Sequence, residues 1–326
     1  MVRRLLSRYC KRHDLTLVLD HGLGHAGYIE SAAGRRSFFV GTRFSLNPQG
    51  SAEMARDKGY CLEFLRRSGL PTPETLLISS PALVEGIRAK RPTYASALPG
   101  SREAIRFAAD TGYPVFVKPN DGQEGKDVSK VGSEIELIGL LDDLFTRHDR
   151  VLVQEALTGK DLRIVVLDGE VLCAIERVPP QIVADGHQTI GALIRATERF
   201  TPDDPRVLAT LAYQNLAPDD VPPKGAAVML LPTANLSSGG TGHFVAGSLA
   251  PHLADIAIMC GPALGLRYYA VDMIVPASAD DTATDATILE VNAAPGFAEL
   301  HRQGPTEAGR VEAIYERLFD AICLDL

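Results

Sequence analysis

Residues 288–297 read ILEVNAAPGF. In an extended strand successive side chains face opposite ways. Leu289 and Val291 are therefore expected to point into a core, and Glu290 and Asn292 to share the other face. At a rise of ~3.3 Å per residue they stand roughly 7 Å apart along the strand. A carboxylate and an amide oxygen side by side are hard donors that suit Mg²⁺; the bland alternative is a half-exposed edge strand. Asp272 lies in the apolar run YAVDMIV, where an unpaired carboxylate is costly to bury. On a strand next to Glu290 and Asn292 it completes an oxygen-rich metal site. Otherwise its partner is a nearby cation such as Arg267.

Three further stretches carry candidate chemistry. In VKPNDGQEGKDV (117–128) Lys118 ends an apolar strand, and Gly122 and Gly125 let backbone amides approach an anion. Lys126 adds positive charge. The spacing is not that of a P-loop, and a solvated hairpin is the competing reading. In VLVQEALTGKDLR (151–163) the pair Gln154-Glu155, with Leu157 beyond it, could hold a flat heterocycle, and Asp161 could accept from ribose hydroxyls. An ordinary strand with polar edges explains the same residues. Arg163 and Arg177 flank the hairpin VVLDGEVLCAI, which turns at Asp168-Gly169. Paired guanidiniums suit carboxylates and phosphates; ion pairs with Glu170 or Glu176 are the alternative. Asn235, in TANLSSGGTG, precedes a Ser/Gly loop whose amides could also meet an anion. His187, His243 and His301 are scattered and form no zinc pattern. There is no G-x-S-x-G elbow, and a cysteine nucleophile has no local support.

The elements that must position these groups follow from periodicity and punctuation. A basic segment precedes a short strand, LTLVLD (15–20), a glycine-bearing loop and a hairpin, GYIESAAGRRSFFVG. Residues 51–69 predict one helix capped by Ser51, with Met54, Cys61, Leu62 and Leu65 near helical spacing and Gly69 at its end. Residues 80–100 read as a loop or weak helix. A helix at about 101–111 leads to the strand YPVFVKP, and residues 134–147 have a helical apolar period. Three strands then cover RVLVQEAL and DLRIVVLDGEVLCAIER, with the hairpin turn at Asp168-Gly169. A helix at 191–200 is followed by a Pro/Asp-rich connection. A second helix (250–265) precedes YAVDMIV and ATILEVN, with the polar loop PASADDTATD between them. The closing helix spans about 306–322. Strands and helices alternate without a simple β-α-β repeat, which gives an α/β or α+β class.

The chain has 326 residues, 45% of them hydrophobic, enough for a substantial core. A net charge of −8 argues against nucleic acid as the main partner, because binding a phosphate backbone needs a clustered basic surface. The five cysteines form no C-x-x-C pair and fit reduced thiols in a cytoplasmic protein. The basic N-terminus has no apolar core of a signal peptide, and no apolar run of about 18 residues predicts a membrane span.

Taken in order, these pieces resemble the ATP-grasp carboxylate–amine ligases. The residues that carry the resemblance are the DK at 57–58, VKP at 117–119 with its glycine loop, QEALTGKDLR, RVPPQIVADGHQTIGALI (177–194), DDVPP (219–223), TANLSSGGT (233–241) and EVNAAPGF with His301 beyond it. The likeness spans about 50–322 and is nearest to the ATP-grasp region of cyanophycin synthetases and of bifunctional glutathione synthetases. It implies an α+β fold of two subdomains clasping ATP, with a short N-terminal region (1–50), an ATP-grasp domain (51–326) and a lid-like part at about 110–160. It implies that Lys58 binds the nucleotide and that Lys118, with the loop of Gly122, Gly125 and Lys126, binds its phosphates. Gln154, Glu155 and Leu157 line the adenine pocket and Asp161 holds ribose. Asp272, Glu290 and Asn292 bind one or two Mg²⁺ ions, or Mn²⁺. Arg177, Arg163 and Asn235 face the γ-phosphate and the acyl phosphate. The substrates implied are a small-molecule carboxylate (an amino acid or short peptide) and an amine, with neither nucleic acid nor membrane as partner. Relatives are often homodimers, which composition does not decide here. Three departures stand out. Leu62 occupies a position that is often lysine, Gln154 replaces a common glutamate, and the larger N-terminal and Mur-ligase-like domains of cyanophycin synthetases are missing. A small-molecule kinase and an ATP binder without catalysis are the alternative readings.

Overall fold

The structure is a computed structural model in which residues 1–122, 126–245, 247, 249–276 and 286–326 are described. The expectations for Gly125 and for residues 277–285 of the polar loop lie outside these residues. The chain opens with α1 (Val2–Arg12), β1 (Thr16–Leu19), β2 (Ala26–Glu30), β3 (Arg36–Val40), β4 (Arg43–Phe44), α2 (Gln49–Arg56) and α3 (Lys58–Arg67). Then come β5 (Thr75–Ser79), α4 (Pro81–Arg88), α5 (Pro92–Ala95), α6 (Ser101–Thr111), β6 (Val115–Pro119), β7 (Ser129–Val131), α7 (Glu134–Leu144) and β8 (Arg150–Glu155). The middle holds β9 (Lys160–Leu167), β10 (Glu170–Val178), β11 (Gln181–Val183), α8 (Ile190–Ala196), α9 (Pro205–Tyr213), β12 (Ala227–Met229) and β13 (Thr241–Phe244). The chain closes with α10 (Pro251–Leu264), β14 (Tyr268–Val275), β15 (Thr287–Asn292), α11 (Ala298–Arg302) and α12 (Pro305–Leu324).

Two compact units form. The first contains residues 1–72, 162–176 and 243–326; the second contains 73–161 and 177–242. The first unit holds the sheet β1-β2-β3-β4 and most of the five-stranded sheet β13-β10-β9-β14-β15. Its main core packs Cys61, Leu65, Ile164, Val166, Cys260, Tyr269, Val271, Met273, Ile288 and Val291. The second unit holds the antiparallel sheet β5-β8-β6-β7 and the pair β11-β12. One face of its larger sheet, with Ile78, Val115, Val117, Val151 and Val153, packs with Ala104 and Ala108 of α6 and Leu137 and Leu141 of α7. A separate core joins Ile182, Ile190, Ile194, Val207, Leu211 and Val228.

Several expectations change in detail. The single helix over 51–69 is two. Asp57 is extended (φ −79°, ψ 104°), and its carboxylate accepts from the Tyr60 amide, so Asp57 rather than Ser51 caps α3. An Asn/Asp-type cap restarts a helix because it satisfies a free amide of the first turn. The basic N-terminal segment is a helix, and the Pro/Asp-rich connection contains α9, whose start is Asp204 as cap and Pro205 at the first helical position. The stretch over 80–100 forms α4 and α5. The turn at Asp168-Gly169 has positive φ at both residues, 49° and 81°, as a two-residue hairpin of the expected kind requires.

Candidate active site

The strands β14 and β15 pair antiparallel with Asp272 opposite Glu290 and Ala270 opposite Asn292. Glu290 and Asn292, two residues apart, therefore lie on the same face as Asp272. The core side of β15 departs from simple alternation. Met273 pairs with Ile288, and Asp272 with Glu290, so Leu289 is an extra residue in a bulge. Ile288 and Val291 enter the core while Leu289 is only half-buried. The expectation that Leu289 faces the core is thus corrected: one inserted residue reverses the phase of alternation, and Glu290 still comes opposite Asp272.

Asp272 is 2% exposed. Its two oxygens accept from Arg163 Nε and Nη2, each at 2.7 Å, a two-pronged guanidinium–carboxylate pair. Arg163, not Arg267, is its partner; Arg267 pairs instead with Asp168 and Asp325. Lys58 Nζ stands 3.8 Å from Glu290 Oε2, and Asn292 Oδ1 accepts from the Ala294 amide at 2.9 Å. Two carboxylates and one carboxamide, all oxygen donors presented from one sheet face, fit a hard divalent cation. Among the described residues no three His, Cys, Asp or Glu side chains gather as a metal set.

A feature that sequence reading missed holds this end of the sheet. Asn47, between β4 and α2, uses its whole side chain. Its Nδ2 donates to the carbonyls of Tyr268 (2.6 Å) and Ala293 (2.8 Å), and its Oδ1 accepts from the amides of Arg267 (2.9 Å) and Tyr268 (3.0 Å). Thr42 donates to the Ala294 carbonyl at 3.1 Å. The start of β14 and the turn after Asn292 are thereby tied together by residues of the N-terminal region.

In the second unit Lys118 is 8% exposed and donates from Nζ to Gln154 Oε1 at 2.9 Å. Gln154 Nε2 donates to Thr75 Oγ1 at 3.0 Å. Gln154 is therefore a buried polar link, 3% exposed, and its amide is already engaged on both sides. Glu155 ends β8 with its amide on the Glu74 carbonyl. Leu157 follows β8 and is half-buried, and Lys126 is exposed. At Gly122 a Cβ would stand 3.3 Å from the Pro119 side chain. Asp161 Oδ1 accepts from Arg177 Nε (2.8 Å) and Nη2 (2.7 Å), and Arg177 is 5% exposed. Arg163 and Arg177 thus each hold a neighbouring aspartate, while Glu170 pairs with Arg317. Asn235 caps a short 3₁₀ turn (Leu236–Ser238), and its carbonyl accepts from the amides of Ser238 and Gly240. A Cβ on Gly240 would meet the carbonyl oxygens of Ala234 and Asn235 at 2.8 and 2.9 Å, so the turn needs glycine there.

Leu62, in the position often held by lysine, is 2% exposed. An ammonium there would be buried, and packing accounts for the leucine. All five cysteines are free. Burial pushes the Cys173 thiol up to about 12, with the Arg163 charge pulling the other way. A group held that far above neutrality is not a thiolate nucleophile. His187 and His243 are exposed, and His301 lies 3.5 Å from Glu312. Among the described residues no helix is long and apolar enough to cross a membrane.

Residues 98–191 match the family described as D-ala D-ala ligase C-terminus. A cyanophycin synthetase of Trichormus variabilis is 30% identical over 263 residues, 75% of this chain and 27% of that protein. A glutathione biosynthesis bifunctional protein of Streptococcus agalactiae is 27% identical over 214 residues, 60% of this chain and 28% of that protein. The chain therefore spans only about a quarter of the length of the curated relatives it matches. In structure it is similar to a bifunctional glutathione synthetase from Pasteurella multocida, with TM-score 0.54, 17% identity and coverage of 97% of this chain and 43% of that one. It is also similar to a D-alanine–D-alanine ligase from Bacillus anthracis, with TM-score 0.50, 18% identity and coverage of 84% and 67%. The α+β fold is the ATP-grasp fold. Its sequence is similar to cyanophycin synthetases and bifunctional glutathione synthetases.

Proposed function

We propose that the chain is an ATP- and Mg²⁺-dependent carboxylate–amine ligase that forms an amide or peptide bond and releases ADP and phosphate. The observation that carries this reading is the register placing Asp272 opposite Glu290 with Asn292 on the same face. Asp272, Glu290 and Asn292 would hold one or two Mg²⁺ ions, with Mn²⁺ able to substitute. A bound divalent cation supplies charge neutralisation and alignment for the nucleotide's phosphates. Arg163 fixes the Asp272 carboxylate through its two-pronged contact. Lys118, with the Gly122 loop and Lys126, brings positive charge to the phosphates, and Lys58 is a further nucleotide-binding residue. Glu155 and Leu157 line the base and Asp161 lies toward the ribose. Arg177, oriented by Asp161, and Asn235 face the transferring group.

The reaction this set serves has two steps. A substrate carboxylate oxygen attacks the γ-phosphorus, the bond from that phosphorus to the bridging β-phosphate oxygen breaks, and ADP leaves. The amine nitrogen then attacks the acyl carbon of the acyl phosphate, loses a proton, and phosphate departs. Fixed cations lower the barrier of the first step because negative charge spreads over the transferring oxygens. Amino acids or short peptides as acids, and amines as acceptors, are the substrates we expect. The test is ADP and phosphate release from ATP–Mg²⁺ over a panel of amino acids, dipeptides and amines, with mass spectrometry of each mixture. The expected result is phosphate release that needs both an acid and an amine, with a product lighter than their sum by one water. ADP formation with a phosphorylated product would overturn the reading in favour of a kinase.

A further inference from the structure

Three polar side chains cross three strands of the β5-β8-β6-β7 sheet on the face opposite the α6/α7 core. Thr75 of β5 is directly opposite Gln154 of β8, and Lys118 of β6 is diagonal to it, since Phe116 pairs with Gln154 and Lys118 with Leu152. Direct and diagonal neighbours on one face are within reach of such side chains. Thr75 Oγ1 donates to the Pro73 carbonyl at 3.0 Å and accepts from Gln154 Nε2 at 3.0 Å; Gln154 Oε1 accepts from Lys118 Nζ at 2.9 Å.

The direction of this chain has no freedom. An ammonium only donates and a backbone carbonyl only accepts. Lys118 at one end therefore requires the oxygen of the Gln154 amide, which leaves the NH₂ to face Thr75. The Thr75 hydroxyl must then donate to Pro73. Without the hydroxyl, a buried NH₂ loses its acceptor and the amide has no reason to keep its oxygen on Lys118. Gln154 is also neutral, so this contact orients the ammonium without cancelling its charge, as a carboxylate in that place would.

We propose that Thr75 is a positioning residue: through the Gln154 amide it holds the Lys118 ammonium oriented for nucleotide phosphates. The proposal rests on the reading that Lys118 meets those phosphates, and two measurements separate the two claims. The first is ATP–Mg²⁺ affinity by calorimetry for the full chain, Thr75→Val, Thr75→Ser, Lys118→Ala and the Thr75→Val/Lys118→Ala double variant. Thr75→Val should weaken binding by about tenfold, the loss expected for one charge-assisted hydrogen bond. Thr75→Ser should restore it, and the double variant should bind no more weakly than Lys118→Ala alone. The second needs no nucleotide: the rate at which an amine-acylating reagent modifies Lys118, read by peptide mass spectrometry. Thr75→Val should raise that rate severalfold and Thr75→Ser should not. Unchanged acylation of Lys118 in folded Thr75→Val would overturn the positioning role whether or not ATP binds. Changed acylation with no effect on ATP affinity would overturn the link to phosphates. Equal losses of affinity from Thr75→Val with and without Lys118 would show that the hydroxyl acts through the strand, and would also overturn it.

Discussion

Asp272 and Glu290 face each other across one pair of strands, yet their energetics differ. Asp272 is buried and held by both prongs of Arg163, whereas Glu290 is half-exposed and has Lys58 no closer than 3.8 Å. Breaking a buried pair leaves a charge without compensation and costs about 3–5 kcal/mol. The Lys58–Glu290 pair, at 3.8 Å with side chains 12% and 33% exposed, is partly solvated and loose, and is worth about 1 kcal/mol. On the proposed metal assignment, Glu290→Gln should unfold in urea within about 1 kcal/mol of the parent while losing Mg²⁺-dependent turnover, because it would remove a ligand charge and leave the packing of Ile288 and Val291. Arg163→Met should lose about 3–5 kcal/mol in the same titration. Full turnover by Glu290→Gln would refute the metal assignment, and a parent-like urea midpoint for Arg163→Met would refute the account of Asp272. The candidate carboxylates were legible in the sequence because a charged residue inside an apolar strand needs a reason. Their partners were not, because Arg163 and Asp272 are 109 positions apart and no local pattern joins them. Thr75 and Asn47 left no mark for the same reason: a threonine at the start of a strand and an asparagine after one are ordinary until the fold brings hydrogen-bond partners to them.

Elements were legible where their signal is local. The apolar strands, the Asp168-Gly169 turn and helices α6, α10 and α12 follow from period, turn chemistry and caps. The bulge at Leu289 and the break at Asp57 each depend on one residue and stayed hidden inside longer regular patterns. Helix α1 was hidden for another reason. Its basic face reads as solvated until α12 supplies the partners: Arg8 to Glu312 at 2.7 Å, Arg12 to Glu316, and Tyr9 to Asp320 at 2.6 Å. Its apolar face carries Leu5, Leu6, Tyr9 and Cys10, and Tyr9 packs edge-on against Phe319 with ring centroids 5.3 Å apart. Magnitudes decide which face holds the helix. Exposed ion pairs contribute about 0.2–1 kcal/mol each, whereas truncating a buried leucine costs about 2–5 kcal/mol. Leu6→Ala, at a side chain with no exposure, should thus lower stability by about 2–5 kcal/mol, and Arg8→Ala by less than about 1 kcal/mol. Thermal unfolding of both variants checks this; a larger loss from Arg8→Ala would mean that the charge ladder, and not the apolar face, docks α1.

At the scale of the whole molecule, a chain of net charge −8 keeps carboxylates in both units ionised by giving them donors. In the first unit the Asp20 carboxylate takes the amides of Ala26, Leu23, His25 and Gly22. These hold it well below the usual carboxylate range, with the Ala26 amide the strongest influence. In the second unit the amides of Gln188 and His187, with the Gln188 side chain, hold Asp185 at about 2, and the Arg206 side chain lowers Asp204. Each of these groups has a folded pKa below its unfolded value of about 3.9. The unfolded chain therefore binds more protons between the two values, and stability falls as pH falls. The contribution is complete above about pH 4 and is lost as pH drops through the folded values, near 2 for Asp185. The urea midpoint should thus hold steady from neutrality to about pH 5 and decline from about pH 4 downward. Asp185→Asn, which cannot titrate, should flatten the decline between pH 4 and 2 while lowering the midpoint at neutral pH, where the parent's ionised acceptor is lost. A midpoint at pH 3 equal to that at pH 6, or an Asp185→Asn variant with the parent's slope, would show that these turns do not couple protonation to the fold.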